Sequence, residues 1–150
     1  MNGEQVVERA RALVGTRFRP QGRMPGVGLD CVGTVVAATG RDPAKVRRDY
    51  RLRGGAVADM ESELVLAGFV PVARSWARPG DILILSAGGA QLHMAILTER
   101  GYVHADAGLG LVVERPGDPP WPVLGVWRAD GASGPVVARP PASSRTREGR

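Results

Sequence analysis

One cysteine and two histidines are the first candidates for chemistry in this sequence. Cys31 follows a stretch rich in glycine and proline, whereas His93 and His104 lie together in the second half of the chain. A cysteine reacts as its thiolate, and a helix N-terminus or an imidazolium can lower the ordinary thiol pKa of about 8.5. Cys31 is therefore a candidate nucleophile with a histidine as its base. The alternative is that Cys31 is a small buried hydrophobic residue.

The two histidines are expected to share one face of a β-hairpin. In QLHMAILTERGYVHA the expected turn is Glu99-Arg100-Gly101, so the numbers of paired residues should sum to about 199. His93 then faces position 106, and His104 lies one diagonal away on the same side of the sheet. One imidazole can thus hydrogen-bond the other and fix its tautomer. A register shift of one residue would put them on opposite faces.

Zinc binding is another use of one cysteine and two histidines, because three such ligands can hold a catalytic metal. The 62 residues from Cys31 to His93 lack the short paired spacing of structural zinc sites. The glycine-rich segment GRMPGVGLDC lacks the pattern of a phosphate-binding loop and follows no predicted strand. We therefore expect no metal and no other cofactor.

Cys31 is expected to begin a short buried helix. The run CVGTVVAATG has apolar residues at helical spacing, with Asp30 at the N-cap position and Gly40 at the end. A strand is the competing interpretation, because valine and threonine are β-branched. The sequence thus favours a helix whose first-turn amides and dipole face Cys31 and lower its pKa.

Helical patterns dominate the first half of the chain and strand patterns dominate the second. An amphipathic helix is predicted over residues 4–14, ending at Gly15. A helical turn is predicted from Asp42-Pro43 to about Tyr50, followed by a helix that Asp59 caps and that ends before Gly68. Short strands rich in Ile, Leu and Val are predicted at residues 82–86, 92–98, 102–105, 110–114 and 123–128.

This order of elements predicts an α+β domain, with N-terminal helices packed on an antiparallel β-sheet of about five strands. The domain is expected to span residues 1–129. Residues 130–150 have no apolar periodicity and are rich in Gly, Pro, Ser and Arg, so a disordered tail is expected there.

Composition limits the classes of protein that the chain can represent. The sequence has 150 residues, of which 43% are hydrophobic, and no apolar run is long enough for membrane insertion. Its start lacks the pattern of a secretory signal, so synthesis in the cytoplasm is expected. The net charge of +5 comes with few aromatic residues and no compact basic run, so a nucleic-acid partner is not expected.

Three blocks of the sequence resemble the NlpC-type cell-wall cysteine peptidases, a papain-like superfamily. They are GTRFRPQGRMPGVGLDCVGTV, ARPGDILIL and LHMAILTERGYVHA, in the order found in that family. The resemblance implies a nucleophile at Cys31, a base at His93 and an orienting residue at His104. It also implies hydrolysis of peptide stems of bacterial peptidoglycan, commonly between D-glutamate and diaminopimelate.

The GTRFRPQGR segment and the DCVG core resemble the branch that is encoded with phage tails and gene transfer agents. This implies partners among phage-tail-like proteins and assembly into a particle that acts on the cell wall. Two rival functions stay open. One is a thiol amidase or acyltransferase that uses the same triad on another substrate, and the other is a non-enzymatic tail protein that retains the fold.

A substrate-binding region is expected around Phe18, Arg19 and Arg23, where the two arginines are the nearest of those that precede Cys31 in the sequence. The two arginines are expected to bind carboxylates of the stem peptide. Phe18 stands where the family often has tyrosine, so the oxyanion is expected to rest on the backbone amide of Cys31 and on a further donor. Asp30 is expected to cap the helix and anchor the loop before it.

Overall fold

The structure, a computed structural model, describes residues 1–47 and 50–129. It has three α-helices and a six-stranded sheet in which every neighbouring pair of strands is antiparallel. The expected α+β architecture is therefore observed, with one strand more than predicted in the main sheet. The tail expected over residues 130–150 lies outside the described residues.

The helices are α1 (Gly3–Ala12), α2 (Cys31–Thr39) and α3 (Val57–Leu66). A small hairpin of β1 (Arg23–Met24) and β2 (Gly28–Leu29) precedes α2. The main sheet contains β3 (Phe69–Val72), β4 (Ile82–Ser86), β5 (Leu92–Leu97), β6 (Gly101–Asp106), β7 (Leu111–Pro116) and β8 (Val123–Ala129). Its strand order is β3-β8-β4-β5-β6-β7.

The start and end signals of α2 work as predicted. The side chain of Asp30 accepts a hydrogen bond from the Gly33 amide at 2.7 Å, which caps the helix. Gly40 ends it with φ 68°, a left-handed conformation that glycine adopts without strain. The competing strand interpretation of this segment is therefore wrong.

Other predicted helix boundaries differ from the observed ones. The helix expected over residues 4–14 ends at Ala12, because the chain turns at Leu13 before reaching Gly15. The helical turn expected to reach Tyr50 is a single 3-10 turn over Pro43–Lys45. Asp59 lies in the first turn of α3 rather than at its N-cap, which is Ala56.

Alternation along the strands gives the sheet two buried faces. The larger hydrophobic core joins one face to the helices, and it includes Val6, Cys31, Leu64, Ile84 and Ile96. The opposite face carries a smaller cluster that includes Leu83, Leu85, Ala95, Tyr102 and Val126. Since side chains that are neighbours in a strand point to opposite faces, a sheet buried on both faces has the nearly continuous apolar sequence seen in β4.

Candidate active site

Cys31 is the first residue of α2 and is almost completely buried, with 2% of its surface exposed. Its sulfur lies against β5, where the backbone N–H of Met94 faces it. Met94 is the residue that follows His93. The fold therefore brings the start of α2 next to the strand that carries the first histidine.

The pKa of the Cys31 thiol is raised to about 12, mainly by burial and to a smaller extent by the neighbouring Asp30 carboxylate. The N–H groups of Met94, Val32 and Cys31 act in the opposite direction, because each stabilises the thiolate. The pKa of Cys31 was expected to be lowered because the residue lies at a helix N-terminus. Burial raises the pKa by more than the helix N-terminus lowers it. Cys31 is therefore a neutral thiol in the unliganded protein at neutral pH.

The two histidines are joined by a hydrogen bond. The distance from His93 Nε2 to His104 Nδ1 is 2.8 Å, and the rings meet edge to face with centroids 5.0 Å apart. The hairpin register predicted from the sequence is observed, because the pairs Ile96–Val103 and Leu97–Tyr102 both have residue numbers that sum to 199. Both imidazoles are therefore on one side of the sheet, the side that carries Leu85 and Tyr102, and no hydrogen bond joins His93 to Cys31 among the described residues.

Both histidines are neutral at rest. The pKa of His93 is lowered to about 4, mainly by burial and to a smaller extent by His104. Burial also lowers the pKa of His104, although the nearby Asp106 carboxylate opposes this shift. A neutral His93 can accept a proton, as a general base must.

Two aromatic residues that the sequence did not single out enclose the histidine pair. The indole of Trp121, in the loop between β7 and β8, lies 5.5 Å from His93 and 5.8 Å from His104 between ring centroids. Tyr102 contacts His104 with a centroid distance of 5.1 Å. An aromatic residue within the proline-rich segment DPPWP was a signal for Trp121, but its distance to the histidines depends on how β8 pairs with β4.

Asp30 organises the segment that leads to Cys31. Its carboxylate accepts hydrogen bonds from the backbone N–H groups of Gln21, at 3.0 Å, and Gly33. It also accepts hydrogen bonds from the Tyr50 hydroxyl and, at 3.0 Å, from the Arg23 guanidinium. Asp30 is only 2% exposed, so these bonds are made away from water. The expected role of Asp30 as helix cap and loop anchor is confirmed.

Arg23 does not occupy the position expected of a substrate-binding residue. Its side chain is 3% exposed and is paired with Asp30. The same guanidinium also donates to the Tyr50 hydroxyl at 3.1 Å and to the Arg47 carbonyl at 3.1 Å. The expectation that Arg23 binds a substrate carboxylate is corrected, because its charge already neutralises a buried carboxylate.

Phe18 and Arg19 lie on the chain that runs beside β2. Phe18 is half-buried against the main core, and Arg19 is exposed. The Arg19 backbone amide donates to the Leu29 carbonyl at 3.1 Å, which fixes this segment close to the residues before Cys31. Arg19 is thus the arginine of the predicted pair whose side chain is open to solvent.

Among residues 1–47 and 50–129, no group of three or more His, Cys, Asp or Glu side chains is placed to hold a metal ion. The helices described there are too short or too polar to cross a bilayer.

Solved structures share this fold, whereas no protein-family model and no curated protein matches the sequence. NlpC1 from Trichomonas vaginalis matches 85% of this chain with 19% identity and a TM-score of 0.59, and the chain spans 43% of that protein. RipB from Mycobacterium tuberculosis, a peptidoglycan hydrolase, matches 84% of the chain with 21% identity and a TM-score of 0.54, over 63% of its own length.

A further match is closer in sequence. The NlpC/p60 domain of the peptidoglycan hydrolase SagA is 30% identical over 77% of this chain and 90% of that domain, with a TM-score of 0.53. The similarity therefore extends over nearly the whole of that domain. The chain belongs to the NlpC/p60 family.

Proposed function

We propose that this protein is a cysteine peptidase that hydrolyses peptide stems of bacterial peptidoglycan. The observation that carries the proposal is the hydrogen-bonded pair of His93 and His104 beside the strand position that meets the Cys31 sulfur. SagA and RipB, which share the fold, are described as peptidoglycan hydrolases. This agreement in fold supports the choice of substrate class.

In the proposed mechanism, His93 acts as a general base through its Nδ1 atom. Its Nε2 atom is engaged by His104, so Nδ1 is the ring nitrogen left to accept a proton. His93 takes the proton from Cys31 while the sulfur attacks the amide carbonyl, and the imidazolium then protonates the leaving amine. Water hydrolyses the resulting thioester, with His93 again as the base.

The negative charge that forms on the carbonyl oxygen needs hydrogen-bond donors. The backbone amide of Cys31 lies at the N-terminus of α2, where the helix dipole also favours an anion, and we assign the first oxyanion contact to it. Phe18 has no hydroxyl to supply the second contact, so that donor comes from elsewhere in the site. His104 keeps the His93 ring in the orientation that transfers the proton.

The sequence resemblance is the basis for the bond that is cleaved, the residues that bind the stem and the setting in which the protein acts. We propose cleavage between D-glutamate and diaminopimelate, with the exposed Arg19 binding a stem carboxylate and Phe18 contacting the stem. The GTRFRPQGR and DCVG segments support an association with phage tails or gene transfer agents, in which the protein would be assembled into a particle before it meets the wall.

Digestion of purified sacculi tests the proposal, with Cys31→Ala as the matched control. We expect wild-type protein to release soluble muropeptides whose masses show cuts between D-glutamate and diaminopimelate, and the control to release none. If the sacculi are not digested but small amides or esters are hydrolysed, the result would favour the thiol amidase or acyltransferase. A protein inert toward both would favour the non-enzymatic tail protein.

A further inference from the structure

The Nε2 atom of His104 is buried without a hydrogen-bond partner in the described part of the chain. The His104 side chain is 3% exposed, so its Nε2 is also shielded from water. The charged group that faces this atom is the Asp106 carboxylate, whose Oδ2 lies 3.8 Å away. Whether Nε2 carries a proton therefore decides whether the Asp106 carboxylate attracts or repels this nitrogen.

Asp106 is held in place by two hydrogen bonds from its own surroundings. Its Oδ1 accepts from the Leu109 amide at 3.0 Å, and its Oδ2 accepts from Arg115 Nη2 at 3.1 Å. These bonds keep the pKa of Asp106 below its usual range, the Leu109 amide having the largest effect. Asp106 is therefore a fixed negative charge next to His104 at neutral pH.

Two proton arrangements are compatible with the hydrogen bond between the neutral histidines. In the first, His93 Nε2–H donates to His104 Nδ1, so that His93 Nδ1 is free and His104 carries its proton on Nε2. In the second, His104 Nδ1–H donates to His93 Nε2, so that His93 carries its proton on Nδ1. Only the first arrangement leaves His93 able to accept a proton from Cys31.

We propose that Asp106 is a positioning residue that selects the first arrangement. Its carboxylate attracts the Nε2–H of His104 in the first arrangement and repels the Nε2 lone pair in the second. The direction of the bond between the histidines, and with it the basicity of His93 Nδ1, is thus set from two residues beyond His104. The catalytic part of this inference rests on the proposed function, whereas the proton arrangement does not.

The other groups around His104 do not supply this selection. His93 on β5 accommodates either arrangement, and the rings of Tyr102 and Trp121 make ring-to-ring contacts with His104. Arg115 on β7 is a cation, and it opposes the effect of the carboxylate on His104. Asp106 is therefore the group among these neighbours whose charge favours a proton on Nε2.

The proposal is tested by nitrogen NMR of labelled imidazole rings in the resting protein at neutral pH. We expect wild type to show both histidines as Nε2–H tautomers. Asp106→Asn keeps an oxygen for the Leu109 amide but removes the charge, and we expect a second population with His93 protonated on Nδ1. Arg115→Gln is the matched control, because it removes the cation and leaves the carboxylate, so both histidines should stay Nε2–H.

Activity gives the second readout. In Asp106→Asn we expect kcat on a cleaved stem peptide to fall about 10-fold with little change in KM, at the lower end of the loss found when the hydrogen-bond partner of a metal-bound histidine is removed. The inference is overturned if wild type shows His93 protonated on Nδ1. This test does not depend on the folding of any variant. It is also overturned if Asp106→Asn keeps wild-type tautomers, whatever its activity. Failure of wild type to cut stem peptides would refute the proposed function and leave the tautomer result standing.

Discussion

At the scale of single residues, the proposed nucleophile and its base are both uncharged in the unliganded protein. Burial raises the pKa of Cys31 to about 12 and lowers the pKa of His93 to about 4, so a thiolate–imidazolium pair is not the resting state. The proton has to move during attack, when the substrate and the amides at the start of α2 can stabilise the developing charge.

The first prediction concerns the pH dependence of thiol alkylation. Since Cys31 is the one cysteine, iodoacetamide incorporation reports on it alone. We expect the alkylation rate to rise by about tenfold per pH unit from about pH 6 to about pH 9, because the reactive thiolate fraction grows in this way below a raised pKa. A plateau across neutral pH would show a resting ion pair and contradict the neutral state.

A second prediction separates the two histidines. His93→Ala should reduce kcat/KM about as much as removal of the nucleophile, because His93 exchanges protons with Cys31. His104→Ala should be milder, since His104 only orients its neighbour, and His104→Gln milder again, because its amide oxygen can still accept from His93 Nε2–H. Assays of all three variants on one stem peptide decide this. Wild-type activity in His104→Ala would contradict the proposal that His104 orients His93.

At the scale of elements, Asp30 ties α2 to the β1–β2 hairpin and to Tyr50. We predict that Asp30→Ala lowers the free energy of unfolding by about 3 kcal/mol, because it leaves the buried charge of Arg23 uncompensated. Tyr50→Phe removes the two hydrogen bonds of the hydroxyl, to Asp30 and from Arg23, but leaves the ion pair, and it should cost about 2 kcal/mol. Urea denaturation compares the two variants. Equal losses would mean that the charge of Asp30 is not what stabilises this region.

Local signals were enough to predict the elements that carry the proposed triad. The hairpin that pairs the histidines has a short turn, so its register depends on nearby residues, and α2 has a cap at each end. The strand Phe69–Val72 was missed because it is short, contains Pro71 and pairs only with β8, far along the chain. The burial of Arg23 and the position of Trp121 also follow from contacts distant in sequence.

At the scale of the whole molecule, the last strand, β8, lies between β3 and β4 and so connects β3 to the rest of the sheet. Arg128 on this strand pairs with Asp81, which precedes β4, through bonds of 2.7 and 2.9 Å, and both side chains are almost fully buried. The last strand is thus attached by a buried ion pair as well as by its backbone. We therefore expect the folded domain to require the chain as far as Ala129, which is itself buried.

Residues beyond that strand are predicted to contribute little to stability. Deletion of residues 131–150 should leave the melting temperature within a few degrees of the full-length value, because that sequence has no apolar periodicity with which to join the core. Thermal unfolding followed by circular dichroism measures the change. A decrease of many degrees would show that the tail packs on the domain.

The central claim is that Cys31 is the nucleophile of a hydrolase, and Cys31→Ala tests it most directly. The substitution removes the covalent route and only a small buried volume, so the protein should fold with a similar melting temperature. The measurement is kcat/KM on a stem peptide that wild type cleaves. We predict a loss of at least about 10⁴-fold, down to the background rate. Substantial hydrolysis by folded Cys31→Ala protein would contradict the thiol mechanism.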